Sequence, residues 1–240
     1  MAAEVEPDHH LVVDGGSGLR NLRARLGSGP QRFTFVLTHY HWDHLQGLPM
    51  FPPLYDESSV VTFVGRGADA DAVAGYLRGV LQPPWFPVAI DDSPADVRYR
   101  ALDGDLEVGP VRVRHTPLQH PQSSTAYRLD GVASSIVVAT DHEAGDGAVD
   151  AALIELASGA DVLMHDGQYT PEEQATVRRG WGHSTWEQAA AAANASGVGR
   201  LVLTSHDPDR ADDEIDDLVA AAAELFPATE AAFEGLTLPL

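Results

Sequence analysis

The chain has no cysteine, so it can build neither a disulfide nor a thiolate metal site, and redox chemistry says nothing about its compartment. It also lacks an apolar run long enough to span a bilayer. The opening stretch Met1-Ala2-Ala3-Glu4-Val5-Glu6 is acidic, without the apolar centre of a signal peptide. Basic residues are scarce: 15 Lys+Arg stand against 36 Asp+Glu, a formal net charge of −21. So acidic a surface repels polyanions and argues against long RNA or DNA and anionic membranes as partners. A small anionic substrate stays open, because bound cations dominate the field inside a site. The expectation is a cytoplasmic protein acting on a small molecule, with a homodimer compatible with everything read here. With 44% hydrophobic and 21% charged residues the composition is that of an ordinary globular chain, read as one domain over 1–240 without linker or repeat.

What the chain does have is a concentrated cluster. Leu37-Thr38-His39-Tyr40-His41-Trp42-Asp43-His44 places three imidazoles and a carboxylate within six residues. Phe33 to Leu37, just before it, is a short apolar, aromatic and β-branched run that reads as a buried strand. The cluster therefore lies where a strand gives way to a loop, a common place for chemistry. Neutral imidazole and carboxylate are good ligands for zinc and related divalent ions. Crowded at the edge of an apolar core without partners, they would be costly, so a merely polar surface loop is the weaker reading. His39 and His41, two apart in an extended segment, point the same way and can share an ion. Asp43 and His44 follow the turn and can reach a second one.

His39-x-His41-x-Asp43-His44 resembles the signature of the metallo-β-lactamase superfamily. The resemblance implies an α/β fold, a four-layer αββα sandwich, and a hydrolase with two divalent metal ions. The N-terminal edge is expected to be shortened, since only ten residues precede the region where family members resemble this chain from Leu11 onward. Zinc suits the ligands best and manganese is tolerated. The resemblance assigns His39, His41 and His120 to one metal, Asp43, His44 and His206 to the other, and Asp141 as the bridge. His120 follows a strand and is flanked by prolines at 117 and 121. Asp141 ends the run Ser135-Ile136-Val137-Val138-Ala139-Thr140, and His206 follows Arg200-Leu201-Val202-Leu203-Thr204. Asp14, ending the run Leu11-Val12-Val13, also has a family counterpart below the metal site.

The second informative stretch is Trp181-Gly182-His183-Ser184-Thr185-Trp186-Glu187. Ser184 and Glu187 fit a capping box at the start of an alanine-rich helix running to about Ala195. Gly-His-Ser-Thr resembles a motif of the phosphodiesterase branch, which includes tRNA 3′-processing endonucleases and cyclic phosphodiesterases, where the histidine faces the scissile phosphate. The tRNA-processing enzymes carry an arm between the third His and the bridging Asp. Here His120 and Asp141 are joined by a short strand hairpin with no room for it.

The remaining elements follow from pattern. Strands are expected at Val60–Val64, Val97–Ala101, Gly109–His115, Ser124–Leu129, Asp161–Asp166 and Ala231–Leu238. Helices are expected at Leu19–Leu26 after the Gly15-Gly16-Ser17-Gly18 turn, and at Ala68–Leu81, Ala148–Ser158 and Asp212–Leu225. Thr170-Pro171-Glu172-Glu173 is a helix start with a Thr cap. His9 and His10 read as a solvated terminal pair. His142, Glu143, His165 and Asp166 lie beside expected ligands or strand ends and are candidates for orienting them.

The reading is a dinuclear metal phosphodiesterase cleaving a small, cyclic phosphodiester, similar to the cyclic-phosphodiesterase branch. Asp43 would orient or deprotonate the attacking water. His183 would stabilise the charge on the phosphoryl group or protonate the leaving alkoxide. Two alternatives stand beside it: a metallohydrolase of a lactone, thioester or β-lactam, which has no obvious need of His183, and a metal-binding or sensor protein without turnover.

Overall fold

The computed structural model describes residues 1–22, 25–27 and 29–238, which form two compact units, Met1–Pro110 and Val111–Leu240. In the first unit the strands β1 (Ala2–Glu6), β2 (His9–Val13), β3 (Arg32–Val36), β4 (Val60–Gly65) and β5 (Asp96–Ala101) form one sheet in that order, with β-branched and aromatic residues concentrated in β3 and β4. β1 runs antiparallel to β2, and β2 to β5 are parallel. The N-terminal edge, expected to be shortened, is thus a five-residue strand. The connections are a short helix α1 (Leu19–Leu22), the His-rich loop, and helix α2 (Ala70–Val80), which is capped by Asp69 accepting from the Ala72 N–H at 2.9 Å. A short strand β6 (Leu106–Val108) closes the unit's sequence. Phe33, Phe35, Val61 and Phe63 of the sheet pack with Leu45, Leu48 and Phe51 of the His-rich loop and Leu77 of α2. The loop is therefore anchored in the core by its own apolar residues.

In the second unit the sheet order is β12-β11-β10-β9-β8-β7, from β7 (Val111–Leu118), β8 (Ser124–Asp130), β9 (Ser135–Ala139), β10 (Val162–Asp166), β11 (Arg200–Thr204) and β12 (Thr229–Ala231). β9 to β12 are parallel, and β8 is antiparallel to both of its neighbours. Helix α3 (Gly147–Ala157) packs on β7 to β9. A short turn α4 (Pro171–Glu173) leads into a π-helical turn over residues 174–178. Helix α5 (Trp186–Ser196) packs on β10 and β11, and α6 (Asp212–Leu225) on α5 and β12. Buried alanines at 189, 190 and 193 let α5 sit close to the sheet. Because β9, β10 and β11 are parallel, the residues that follow them emerge at one edge.

Several expectations are corrected. His9 and His10 are not a solvated pair: they open β2, and buried His10 bonds through Nε2 to Gln31 Oε1 at 2.9 Å. The expected helix Leu19–Leu26 is described over Leu19–Leu22, and Arg23 and Ala24 lie outside the described residues. The closing strand lies at Thr229–Ala231 rather than Ala231–Leu238. The α5 cap is Thr185 with Gln188, one residue later than read, because the Ser184 hydroxyl is engaged with the His142 carbonyl and the Ala144 N–H instead. Among the described residues, no helix is long and apolar enough to cross a membrane.

Candidate metal centre

In the first unit, β3 delivers the chain to Thr38 and the donor loop. Asp14, one residue beyond β2, is the hub beneath it. Its Oδ1 accepts from the Thr38 N–H at 2.8 Å, and its Oδ2 accepts from the Thr38 hydroxyl at 2.8 Å and from His44 Nδ1 at 2.8 Å. With that hydroxyl donating to Asp14, its oxygen accepts from His39 Nδ1 at 3.0 Å. Two imidazoles are thus held through Nδ1, which leaves Nε2 as the nitrogen each could offer a metal. The rings are crowded, with centroids 4.4 Å apart for His39 and His41 and 4.2 Å for His39 and His44. Asp43, on the 3₁₀ turn Trp42–His44, has a side chain 69% exposed, with Oδ2 3.3 Å from His44 Nε2. Glycines allow this packing. Gly15 donates to the His44 carbonyl at 2.7 Å and Gly47 to the Gly15 carbonyl at 2.8 Å. A Cβ on Gly47 would stand 2.1 Å from the Gly16 carbonyl oxygen.

In the second unit, three donors meet. His120 follows β7, Asp141 follows β9, and His183 precedes α5; one ligand atom from each lies within 4.8 Å of the others. His120 donates through Nδ1 to the Gly182 carbonyl at 2.8 Å. Its Nε2 stands 3.7 Å from Asp141 Oδ2, too long for a hydrogen bond. Two atoms each about 2.0–2.2 Å from one ion lie no more than about 4.4 Å apart, so the spacing suits a shared divalent cation. The donor types, neutral nitrogens and a carboxylate, are those zinc prefers, and the group fits a metal. Asp141 accepts at Oδ1 from the Ser205 hydroxyl at 3.2 Å. Asp14, Asp141 and Ser205 hold φ of 58°, 55° and 58°. Each is a non-glycine residue in the left-handed region within two residues of a strand's end, and such strain gathers at functional sites.

His183 is held from behind. Its Nδ1 is 2.7 Å from Oδ2 of Asp166, the last residue of β10. Asp166 is fully buried and also accepts from the N–H groups of His142, Gln168 and Ser184 at 3.1, 3.1 and 3.2 Å. Burial lifts the Asp166 carboxyl to about 6, against the pull of His183 and these donors. His142 accepts the Gln119 N–H at Nδ1 and donates through Nε2 to Asp150 at 3.1 Å. His165 donates through Nδ1 to the Asp166 carbonyl at 2.7 Å. Burial holds both histidines down at about 4. They are neutral, inward-facing supports.

Of the residues singled out from sequence, His39, His41 and His44 come together in the first unit, with Asp43 alongside. His120, Asp141 and His183 come together in the second. His206 falls outside the groups of three or more donors among the described residues. Its Nε2 donates to the Ala232 carbonyl at 3.1 Å, and burial lowers its pKa. Sequence reasoning left Asp166 among undecided candidates, and it did not find the Asp14 bonds to Thr38 and His44. The one available signal was an acidic residue closing a buried strand.

The beta-lactamase superfamily domain model matches residues 9–206. The chain belongs to that superfamily. It is a metal-dependent hydrolase of the metallo-β-lactamase fold. Curated relatives include the Ribonuclease Z of Synechococcus sp. (strain WH7803), 29% identical over 95% of this chain and 85% of its own length. Another is the Ribonuclease Z of Mycobacterium avium (strain 104), 31% identical over 82% and 76%. The Synechococcus match extends over 284 aligned positions, more than the 240 residues of this chain, so that relative carries segments this chain lacks. Among solved structures, a diphosphatase of the PhnP family superposes with a TM-score of 0.71 at 19% identity, covering 97% of this chain and 80% of that one. Zinc-bound PqqB from Methylobacterium extorquens gives 0.71 at 16%, covering 100% and 86%. Both likenesses speak to the fold.

Proposed function

We propose that the chain is a cytoplasmic dinuclear phosphodiesterase acting on a small, cyclic phosphodiester rather than on long nucleic acid. The observation that carries the reading is His183: an imidazole held by buried Asp166 and standing with His120 and Asp141. Its Nδ1 is committed to Asp166, so Nε2 is the nitrogen offered to substrate. With Asp166 behind it, His183 can give a proton to a leaving alkoxide or stabilise charge on the phosphoryl oxygens. Acyl hydrolysis has no comparable need for this pair.

His39, His41 and His120 would hold one divalent ion and Asp43, His44 and His206 the other, with Asp141 as the bridge, as the family resemblance assigns them. Zinc is the best match to these donors. When bound, such ions supply positive charge to the phosphate and acidity to a water. Asp43, the most exposed carboxylate of the set, would orient that water or take its proton.

The curated relatives are named for a ribonuclease, and one structural neighbour for a diphosphatase; both names concern hydrolysis at phosphorus. Two features favour the small substrate. His120 and Asp141 are linked only by the β8–β9 hairpin. A net charge of −21 opposes a polyanion. The test is hydrolysis by zinc-loaded protein of bis(p-nitrophenyl) phosphate, a nucleoside cyclic phosphate and a precursor tRNA. Turnover of the first two without cleavage of the third supports the reading. Cleavage of the tRNA, or turnover of lactones or thioesters alone, overturns it.

A further inference from the structure

We propose that Glu143 is the positioning residue that fixes ligand His120 and the strap carrying His183 in register with each other, an inference that rests on reading this cluster as a metal centre. Glu143 does not touch the donors. Its backbone N–H donates to the carbonyl of Gln119, the residue before His120, at 2.8 Å. Its carboxylate takes the other side, with Oε1 accepting from the Gly180 N–H at 2.7 Å and Oε2 from the Gly182 N–H at 2.8 Å. The Gly182 carbonyl then accepts from His120 Nδ1. A closed circuit results: Glu143 to Gln119, along the chain to His120, across to Gly182, and back to Glu143.

The strap's glycines leave its shape to bonds of this kind. Gly180 and Gly182 hold φ of +80° and +91°, where glycine is the least strained residue. A Cβ on Gly182 would stand 2.3 Å from His120 Nδ1 and 2.4 Å from Pro121 Cδ, so the backbone is pressed against the ligand ring. Two glycines give the segment wide conformational freedom, and the bidentate carboxylate, bonded to two N–H groups through charge-assisted hydrogen bonds, removes it. His183 follows Gly182 directly, so the hold that sets the His120 tautomer also sets where His183 begins. Gln174 adds a bond from its Nε2 to the His183 carbonyl at 2.9 Å on the same strap.

The experiment is zinc binding by the full-length chain, with Zn²⁺ alone as the probe in competition with a fluorescent chelator, alongside thermal unfolding of the metal-free protein. Glu143→Ala is expected to lose about 10–100-fold in zinc affinity, the effect typical of a group that orients a ligand from behind. Its metal-free unfolding midpoint should stay close to the parent's. Glu143→Gln, left with one acceptor oxygen, should fall between the two. Gly182→Ala, which pushes on the ring itself, should lose at least as much, and the double variant no more than the worse single one. Zinc affinity of Glu143→Ala within twofold of the parent overturns the proposal while leaving the metal centre standing. A parent that binds no zinc overturns the metal centre and this proposal with it. If Glu143→Ala does not fold, Glu143→Gln decides on the same two criteria.

Discussion

Oδ2 of Asp166 lies 2.7 Å from Nδ1 of His183, and Asp166 has no exposure to solvent. A carboxylate so placed fixes the imidazole's tautomer and favours its charged form during proton transfer. Asp166→Asn keeps the volume but has one acceptor oxygen, so its NH2 must face either the Gln168 and Ser184 N–H groups or the His142 N–H and His183 Nδ1. Phosphodiester turnover should fall about 10²–10⁴-fold, with zinc content unchanged. In the Asp166→Asn/His183→Ala double variant the loss should not exceed that of His183→Ala alone. Parent-like kcat in Asp166→Asn would remove the pair from the reaction.

The two buried histidines make stability depend on pH. His142 and His165 titrate at about 4 in the folded chain because burial disfavours their charge, against about 6.5 when unfolded. Between these values the unfolded chain binds protons that the folded chain refuses. Their contribution is therefore complete above about pH 6.5 and drains away as pH falls towards 4. For fully buried His165 the loss is on the order of 3 kcal/mol. Urea unfolding of metal-free protein from pH 7.5 to 4 should show this decline, and His165→Gln should flatten it. A variant with the parent's pH slope would assign the effect to other groups.

Gly47 lies at φ −80°, where alanine's backbone is comfortable. A Cβ there nonetheless meets the Gly16 carbonyl oxygen at 2.1 Å, backbone against backbone. Gly47→Ala should cost roughly 1–3 kcal/mol in urea unfolding through overpacking. It should also weaken zinc binding, because Gly15 and Gly47 tie the His-rich loop to the end of β2. Unchanged stability would mean that the two turns separate freely.

Phe35 is fully buried, and its ring centroid lies 5.6 Å from Phe51 and 5.1 Å from Phe63. Phe35→Ala should destabilise the first unit by about 3–5 kcal/mol. The check is the midpoint of chemical unfolding read through amide exchange of β3 and β4, whose protection should fall with it.

Where the signal was contiguous in sequence, the structure agrees with it. β3, β4, β9, β10 and β11 are largely apolar runs because strands covered on both faces need them. His39, His41, Asp43 and His44 announce themselves because one loop holds them all. Contacts made across the chain left no such mark. Asp166 and His183 are 17 residues apart, and Asp14 and Thr38 are 24 apart. Nothing local says that either pair will meet. The cap shift from Ser184 to Thr185 has a similar cause: both residues satisfy the spacing rule, and a long-range bond from Ser184 to His142 decides between them. His9 and His10 look like a loose end until β1 folds back and pairs β2 on its open side.

Asp14, one residue beyond β2, and Asp141, two beyond β9, each hold a left-handed conformation that glycine would hold at lower cost. Each carboxylate is held there by what it touches: the Thr38 N–H and hydroxyl and His44 for Asp14, and the Ser205 hydroxyl for Asp141. Glycine at either position would relax the backbone and at the same time take away the acceptor those partners use, so the two effects oppose each other in stability.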